Sequence, residues 1–132
     1  MLVMQQQSRH VSVFIDRPVA EVYDYASDPN NLPHWAAGLA SGIRIEDGQV
    51  VADSPMGRIE IVFAPRNEFG VLDHDVITPD GTRTYNPMRV VASGGSSEVI
   101  FSVRRRDTSQ EDFDNDCAAV LVDLESLKSI ME

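Results

Sequence analysis

The fold is decided by residues 107–132, DTSQEDFDNDCAAVLVDLESLKSIME. Apolar residues recur there at intervals of three and four, which is the spacing of one face of an α-helix: Phe113, Cys117, Val120, Leu121, Leu124, Leu127 and Met131. Thr108 and Glu111 are expected to form a capping box at its start. A helix of roughly 24 residues is about 36 Å long at 1.5 Å per residue. Because its apolar face is narrow, it needs a broad apolar partner, and the sequence predicts a curved sheet gripping this helix.

The chain before this helix is predicted to form one strand, two short helices and six further strands. Alternating apolar residues at 10–15 indicate the first strand. Pro18 and Pro29 are suited to the first turns of the two helices, which end near Ala26 and Trp35. The other strands are expected around Ile43–Ile45 and Val50–Val51 and at residues 58–63, 69–77, 82–93 and 98–105. Consecutive antiparallel hairpins with helices on one face make an α+β fold with about seven strands.

Composition narrows the class of protein. At 132 residues we expect a single domain over 1–132, with residues 1–8 frayed. The net charge of −10 argues against binding nucleic acid or anionic membranes, since both need clustered Lys and Arg. No run approaches the roughly 18 apolar residues of a membrane span, and no signal peptide is visible at the N-terminus. The expected location is the cytoplasm.

Several segments carry a resemblance to a known family. They are IDRPVAEVY (residues 15–23), DPNNLPHW (28–35), VLDH (71–74), YNPMRVV (85–91) and SEVIF (97–101). Together they resemble small bacterial members of the polyketide cyclase/dehydrase branch of the START-like (SRPBCC) superfamily. The resemblance covers nearly the whole chain and implies the helix-grip fold shared with the birch-pollen allergen.

The resemblance implies a cavity between the concave face of the sheet and the long helix. Family members use this cavity for lipids, sterols, polyketides, plant hormones or other apolar ligands. Some members are cyclases or aromatases, others are carriers, and others act through protein partners. No established catalytic constellation is present here. The chain is also shorter than many ligand-carrying relatives, which argues against a large cavity.

His74 is the candidate catalytic residue. Leu72, His74 and Val76 share one face of a regular strand, so the histidine stands in an apolar row, where it could act as an acid or base. The alternative is a structural histidine satisfied by a backbone group. Asp73 and Asp75 point to the opposite face and cannot form a dyad with it.

Other residues are predicted to line the cavity with His74. Asn86 and Met88 are placed inward because the alternate positions carry arginines, although Pro87 could shift the alternation. Trp35 could gate the cavity mouth or anchor the core. The complete predicted ligand-binding set is Trp35, His74, Asn86, Met88, Phe101, Cys117 and Leu121. Cys117, the only cysteine, fits a small buried hydrophobe better than a reactive thiol.

Motifs for metals and cofactors are missing from the sequence. Residues 112–116 resemble the start of a calcium loop, but Cys117 replaces the glycine and Asp123 the final glutamate. The histidines and the cysteine have no zinc spacing, and no nucleophile elbow, P-loop or dinucleotide fingerprint occurs. We therefore expect no metal and no cofactor.

Three functional hypotheses remain. The first is a protein that binds a small hydrophobic or aromatic ligand, such as a lipid or polyketide. The second is a cyclase or dehydratase that uses His74 as acid or base and Asn86 as polarising group. The third is a protein-interaction module with a vestigial cavity and an acidic helix. The expected partner is a small hydrophobic molecule, without nucleic acid or membrane insertion, and the chain is expected to be a monomer or homodimer.

Overall fold

The computed structural model describes residues 6–132, in which eight strands and three α-helices form. In chain order they are β1 (Gln7–Ile15), α1 (Val19–Ala26), α2 (Leu32–Trp35), β2 (Arg44–Glu46), β3 (Gln49–Ser54), β4 (Gly57–Phe63), β5 (His74–Ile77), β6 (Arg83–Asn86), β7 (Met88–Ser93), β8 (Ser96–Arg105) and α3 (Gln110–Met131). Single 3₁₀ turns flank α2 at Pro29–Asn31 and Ala37–Leu39.

The strands form two antiparallel sheets that meet at Pro87. Five strands follow the order β2-β3-β4-β5-β6, and three follow the order β1-β8-β7. The Leu72 N–H donates to the Met88 carbonyl over 2.8 Å, and the Ser102 N–H donates to the Pro87 carbonyl over 3.0 Å. The sheets wrap on the long C-terminal α3, which contacts β1, β8 and α2. The predicted α+β helix-grip fold is therefore confirmed.

The number of strands differs from the predicted seven because of Pro87. This residue has no N–H for a ladder bond, and the expected strand at residues 82–93 is divided there into β6 and β7. The expected strand at residues 69–77 is regular only from His74, because Gly70 and Leu72 bond to β7 instead.

The N-terminal strand begins earlier than the sequence predicts. Gln7 and Ser8, expected to be frayed, already pair with Arg105 and Arg104 of β8. Residues 1–5 lie outside the described residues. The first strand is therefore longer than the alternating segment at residues 10–15, since pairing with β8 extends it beyond its apolar part.

The long helix differs from the prediction in its cap and at one edge of its apolar face. Ser109, not Thr108, accepts a hydrogen bond from the Asp112 N–H at 3.0 Å, so α3 begins one residue later than expected. Leu121 was expected to face the sheet but is 36% exposed. It lies one position beyond the half-buried Val120, which packs on the core instead.

Two apolar clusters form the core. The larger lies between the sheets and the helices and includes Ile15, Val22, Val99, Leu124 and Leu127. A smaller one of Val103, Phe113 and Cys117 closes the end near the start of α3. In the part of the chain that the structure describes, no helix has the length and apolar character needed to cross a membrane.

Candidate functional site

A cavity of about 290 Å³ lies between the five-stranded sheet and α3, at the end covered by α2. The loop after α2 and the β3–β4 hairpin form the rest of its wall. The residues that line it are Leu32, Trp35, Ala36, Gly38, Leu39, Ser54, Pro55, Met56, Ile59, Ile61, Phe63, His74, Val76, Phe101, Val120, Asp123 and Leu124.

The lining is apolar apart from a few side chains. Ser54 lies on the β3–β4 hairpin, His74 on β5 and Asp123 on α3. The usual small-molecule site combines mostly apolar walls with a few polar groups that fix the ligand's orientation. This cavity has that composition.

His74 is held in place by the backbone and by two aromatic rings. Its Nδ1 lies 3.0 Å from the Leu72 carbonyl oxygen. Because a carbonyl only accepts hydrogen bonds, we assign the proton to Nδ1, which leaves the lone pair on Nε2. The ring lies 5.3 Å from Phe63 and 5.7 Å from Phe101, measured between centroids. Nε2 has no hydrogen-bond partner among residues 6–132.

Burial sets the protonation state of His74. Removal from water lowers the pKa of the imidazole below its usual 6.5, against the opposing effects of the Leu72 carbonyl and the charges of Asp73 and Asp75. The neutral ring is therefore the main form at pH 7. In this state Nε2 can accept a hydrogen bond or a proton from a group in the cavity.

Asp123 connects the long helix to the cavity wall. Its carboxylate accepts a hydrogen bond from the Ala37 N–H over 3.1 Å, at the start of the 3₁₀ turn Ala37–Leu39. Burial raises the pKa of this carboxyl group, opposed by the bond from Ala37. In the sequence, Asp123 stands out only as the final position of an incomplete calcium loop. Asp123 lies three residues after Val120 and four before Leu127, and this helical spacing predicts that it faces the sheet together with them.

Trp35 lies in the wall of the cavity and is 6% exposed. Its indole Nε1 has no contact with solvent and no hydrogen-bond partner in the described part of the chain. A buried N–H without a partner costs free energy.

The structure brings together only part of the predicted ligand-binding set. Trp35, His74 and Phe101 line the cavity. Met88 does not, because it is fully buried in the core after the chain crosses from β6 to β7 at Pro87. Asn86, the cross-strand partner of His74, lines a neighbouring depression.

The two predicted residues on α3 also lie away from the cavity. Cys117 is buried in the smaller core cluster, where burial raises the pKa of its thiol. Leu121 lies at the exposed edge of the helix. Val120 and Leu124 take their place in the cavity wall.

Asp73 was predicted correctly to point away from His74, but its surroundings were not predicted. It is 5% exposed and accepts hydrogen bonds from the Met88 N–H at 2.8 Å, the Arg89 guanidinium at 3.0 and 2.7 Å, and the Tyr85 hydroxyl. Burial raises the pKa of this carboxyl group, but these bonds outweigh it and lower the pKa to about 2. The face of β6 and β7 that carries Tyr85 and Arg89 is exposed as the arginines indicated, and the unpredicted feature is the buried carboxylate of Asp73 beneath them.

Metal-binding geometry is not found in the described residues 6–132. No three or more His, Cys, Asp or Glu side chains there form a group that could hold an ion.

Comparison with known proteins identifies the fold. A START superfamily protein from Mycobacterium smegmatis superposes with a TM-score of 0.64 at 15% identity, covering 96% of each chain. The chain has a START-like fold. A protein from Bacillus thuringiensis gives a TM-score of 0.73 at 15% identity, covering 95% of this chain and 98% of the other. CalU16 from Micromonospora echinospora gives 0.67 at 15% identity, covering 96% and 75%.

Comparison by sequence gives no match. No family model matches the chain, and no curated protein matches it either. At 15% identity the superpositions establish the START-like fold, and the function must be argued from the cavity itself.

Proposed function

We propose that this chain binds a small hydrophobic or aromatic molecule in the cavity between its sheet and α3. The observation that carries the proposal is the cavity of about 290 Å³ with its apolar wall. Protein interiors are close-packed and contain few voids larger than one water molecule. This cavity is partly open to solvent, and its volume, that of roughly ten water molecules at ~30 Å³ each, is enough for a small ligand.

The volume also limits the size of the ligand. Small-molecule pockets usually measure about 300–1,000 Å³, and this cavity lies at the lower end of that range. A compound with one or two rings, or a short alkyl chain, fits this volume better than a sterol or a long lipid. The Nε2 of His74 supplies an acceptor for a hydroxyl or N–H on such a ligand.

Filling the cavity tests the proposal. Val76 lies in the wall on β5, and Val76→Trp places a large ring there. We expect the affinity for the neutral fluorescent probe N-phenyl-1-naphthylamine to fall at least tenfold, because the ring occupies the probe's volume. The matched control is Val62→Trp on the neighbouring strand β4, whose side chain is exposed and does not line the cavity.

Both variants are first compared with the wild type by thermal unfolding, which identifies any general loss of structure. Retained probe affinity in a folded Val76→Trp protein would contradict binding in this cavity. Equal losses in both variants would also contradict it, since the probe would then report on general surface changes.

A second candidate function is acid–base catalysis by His74 on the bound molecule. The observation that favours it is the neutral imidazole with an unpartnered Nε2 at the cavity wall. The test begins with mass spectrometry of any molecule extracted from the purified protein. Turnover of that molecule by the wild type and by His74→Gln is then compared, and equal rates would exclude this role for His74.

A further inference from the structure

The polar side chains in the cavity wall offer hydrogen-bond acceptors to a ligand. His74 carries its proton on Nδ1, so its Nε2 accepts. The Ser54 hydroxyl donates to the Gly57 carbonyl over 2.9 Å and accepts from the Met56 N–H at 3.1 Å, so the capacity that remains on it is that of an acceptor. The Trp35 Nε1 is a donor, but it has no contact with solvent, and a molecule in the open space does not reach it. A ligand that pairs with this wall therefore supplies the donors.

The charge in the wall is negative. Asp123 is its acidic side chain, and no Lys or Arg lines the cavity among residues 6–132. The Oδ1 of Asp123 accepts from the Ala37 N–H, whereas no donor to Oδ2 is found in the described part of the chain. No Lys or Arg nitrogen there lies within ion-pair distance of this carboxylate. A half-buried carboxylate is therefore available to a cation that carries N–H groups.

Asp123 lies at the edge of the cavity, where α3 meets the 3₁₀ turn Ala37–Leu39. Asp123 is half-buried and Ala37 is exposed, so a charged group bound there keeps part of its contact with water. This position lowers the desolvation cost that a cation pays in a closed interior. The cation in turn favours the ionised form of the carboxyl group. The apolar wall beside it, which includes Val76 and Leu124, contacts the rest of the molecule.

We infer that the ligand of this cavity is a compact hydrophobic amine, bound as its ammonium ion. Its ring or alkyl body lies between the sheet and α3, and its N–H groups donate to Asp123. A second donor, where the molecule has one, is accepted by the Nε2 of His74. This inference rests on the proposed function, since it concerns the same ligand. It adds the chemical class that the apolar wall alone does not specify.

Three naphthalene derivatives of similar size test the inference. At pH 7, 1-naphthylmethylamine is a cation, 1-naphthaleneacetate is an anion and 1-methylnaphthalene is neutral. Their affinities are measured by displacement of N-phenyl-1-naphthylamine. We expect the wild type to bind the amine about tenfold more tightly than the acetate, because the carboxylate of the acetate meets Asp123 without a donor between them.

The variant Asp123→Asn removes the charge and keeps an amide oxygen that can accept from the Ala37 N–H. We expect it to bind the amine about tenfold more weakly and 1-methylnaphthalene like the wild type, because only the amine loses a charge-assisted hydrogen bond. The control is Glu125→Gln, which removes the same charge from an exposed position of α3 outside the cavity. It should bind all three compounds like the wild type.

Thermal unfolding first establishes that both variants are folded. The preference of the wild type needs no variant, so it decides the question even if Asp123→Asn does not fold. The inference is overturned if the wild type binds the acetate as tightly as the amine, or if a folded Asp123→Asn protein retains its amine affinity. Equal losses of amine affinity in Asp123→Asn and Glu125→Gln would also overturn it, since a general charge effect would then explain them.

The two proposals fail in different ways. Binding of 1-methylnaphthalene that Val76→Trp abolishes, together with amine binding that is insensitive to Asp123, would leave the proposed function standing and overturn the inference. If none of the compounds binds the wild type, or if Val76→Trp affects none of them, the proposed function fails and the inference fails with it.

Discussion

Asp73 and His74 are neighbours in sequence on opposite faces of the same sheet, and their surroundings differ. Asp73 is satisfied by the Met88 N–H, the Arg89 guanidinium and the Tyr85 hydroxyl. His74 has one backbone contact at Nδ1 and no partner at Nε2 among residues 6–132. On its face of the sheet, Asp73 hydrogen-bonds to residues at the junction between the two sheets. On the opposite face, His74 lines the cavity.

The difference shows how two consecutive residues, at the start of β5 and just before it, support both a framework and a binding site. A buried polar group that is fully hydrogen-bonded fixes the backbone around it, while one with a free acceptor retains a position for a ligand. Changes on the Asp73 side should therefore reduce stability with little effect on ligand affinity in the folded protein. Changes on the His74 side should do the reverse.

The largest effect is expected from Gly70→Ala, at the sheet junction. Gly70 has φ +70°, and a Cβ there would lie 2.1 Å from the Val90 carbonyl oxygen. The free energy of unfolding should fall by about 4 kcal/mol, from the left-handed backbone conformation and the collision together. Urea unfolding measures this loss. The control is Gly94→Ala, where φ is +60° but no atom lies within 4 Å, and the cost should be about 1 kcal/mol. Equal losses would show that the close approach to β7 is unimportant.

The second prediction concerns Asp73→Asn, which removes the charge that Arg89 and Tyr85 contact. We expect a loss of about 2 kcal/mol in the free energy of unfolding, because the buried negative charge opposite Arg89 is removed and one of the two acceptor oxygens is replaced by an amide NH2. Asp75→Asn breaks the more exposed pair with Arg83 and should cost about 0.5 kcal/mol. A folded Asp73→Asn protein should bind the neutral probe like the wild type, and a large loss of affinity would contradict the separation of the two faces.

Acid should act on the two faces in separate pH ranges. The pKa of Asp73 is about 2 in the folded protein against an ordinary 3.8, so its stabilisation of about 2 kcal/mol is present above pH 3.8 and lost as the pH falls through 2. The pKa of His74 is lowered below 6.5, so the unfolded chain takes up a proton first and stability falls as the pH drops below 6.5. Unfolding curves from pH 8 to pH 2 should show the first decrease missing in His74→Leu and the second reduced in Asp73→Asn.

The smallest effect on stability is expected from His74→Leu. Burial of a neutral imidazole with an unused acceptor is replaced by burial of an apolar side chain, so the free energy of unfolding at pH 7 should change by less than about 1 kcal/mol. The affinity for a probe with a hydroxyl group, such as 1-naphthol, should fall severalfold. His34→Leu, at an exposed position, serves as the control. Loss of stability similar to that of Asp73→Asn would show that His74 has a structural role.

Sequence reasoning predicted the fold because the long helix and the turns carry strong local signals. The apolar spacing of α3 and the prolines before α1 and α2 placed these elements well, and the antiparallel order of the strands followed. Met88 points inward as predicted, because the alternation continues across Pro87, but it lies in the core and not in the cavity, since the backbone changes sheets there.

The candidate site could be predicted only in part. Trp35, His74 and Phe101 lie where one strand face and one helix end meet, which alternation and element order can indicate. Asp123 and Asp73 were missed because an acidic residue is usually exposed, and only long-range contacts keep these two in partly or nearly buried positions.

The position of Trp35 has a practical consequence. The chain contains one tryptophan, and its ring forms part of the cavity wall. Indole emission depends on the polarity around the ring, so intrinsic fluorescence excited near 295 nm comes from this one site. The protein thus contains its own optical reporter of cavity occupancy, and unlabelled compound libraries can be screened directly by emission shift or quenching.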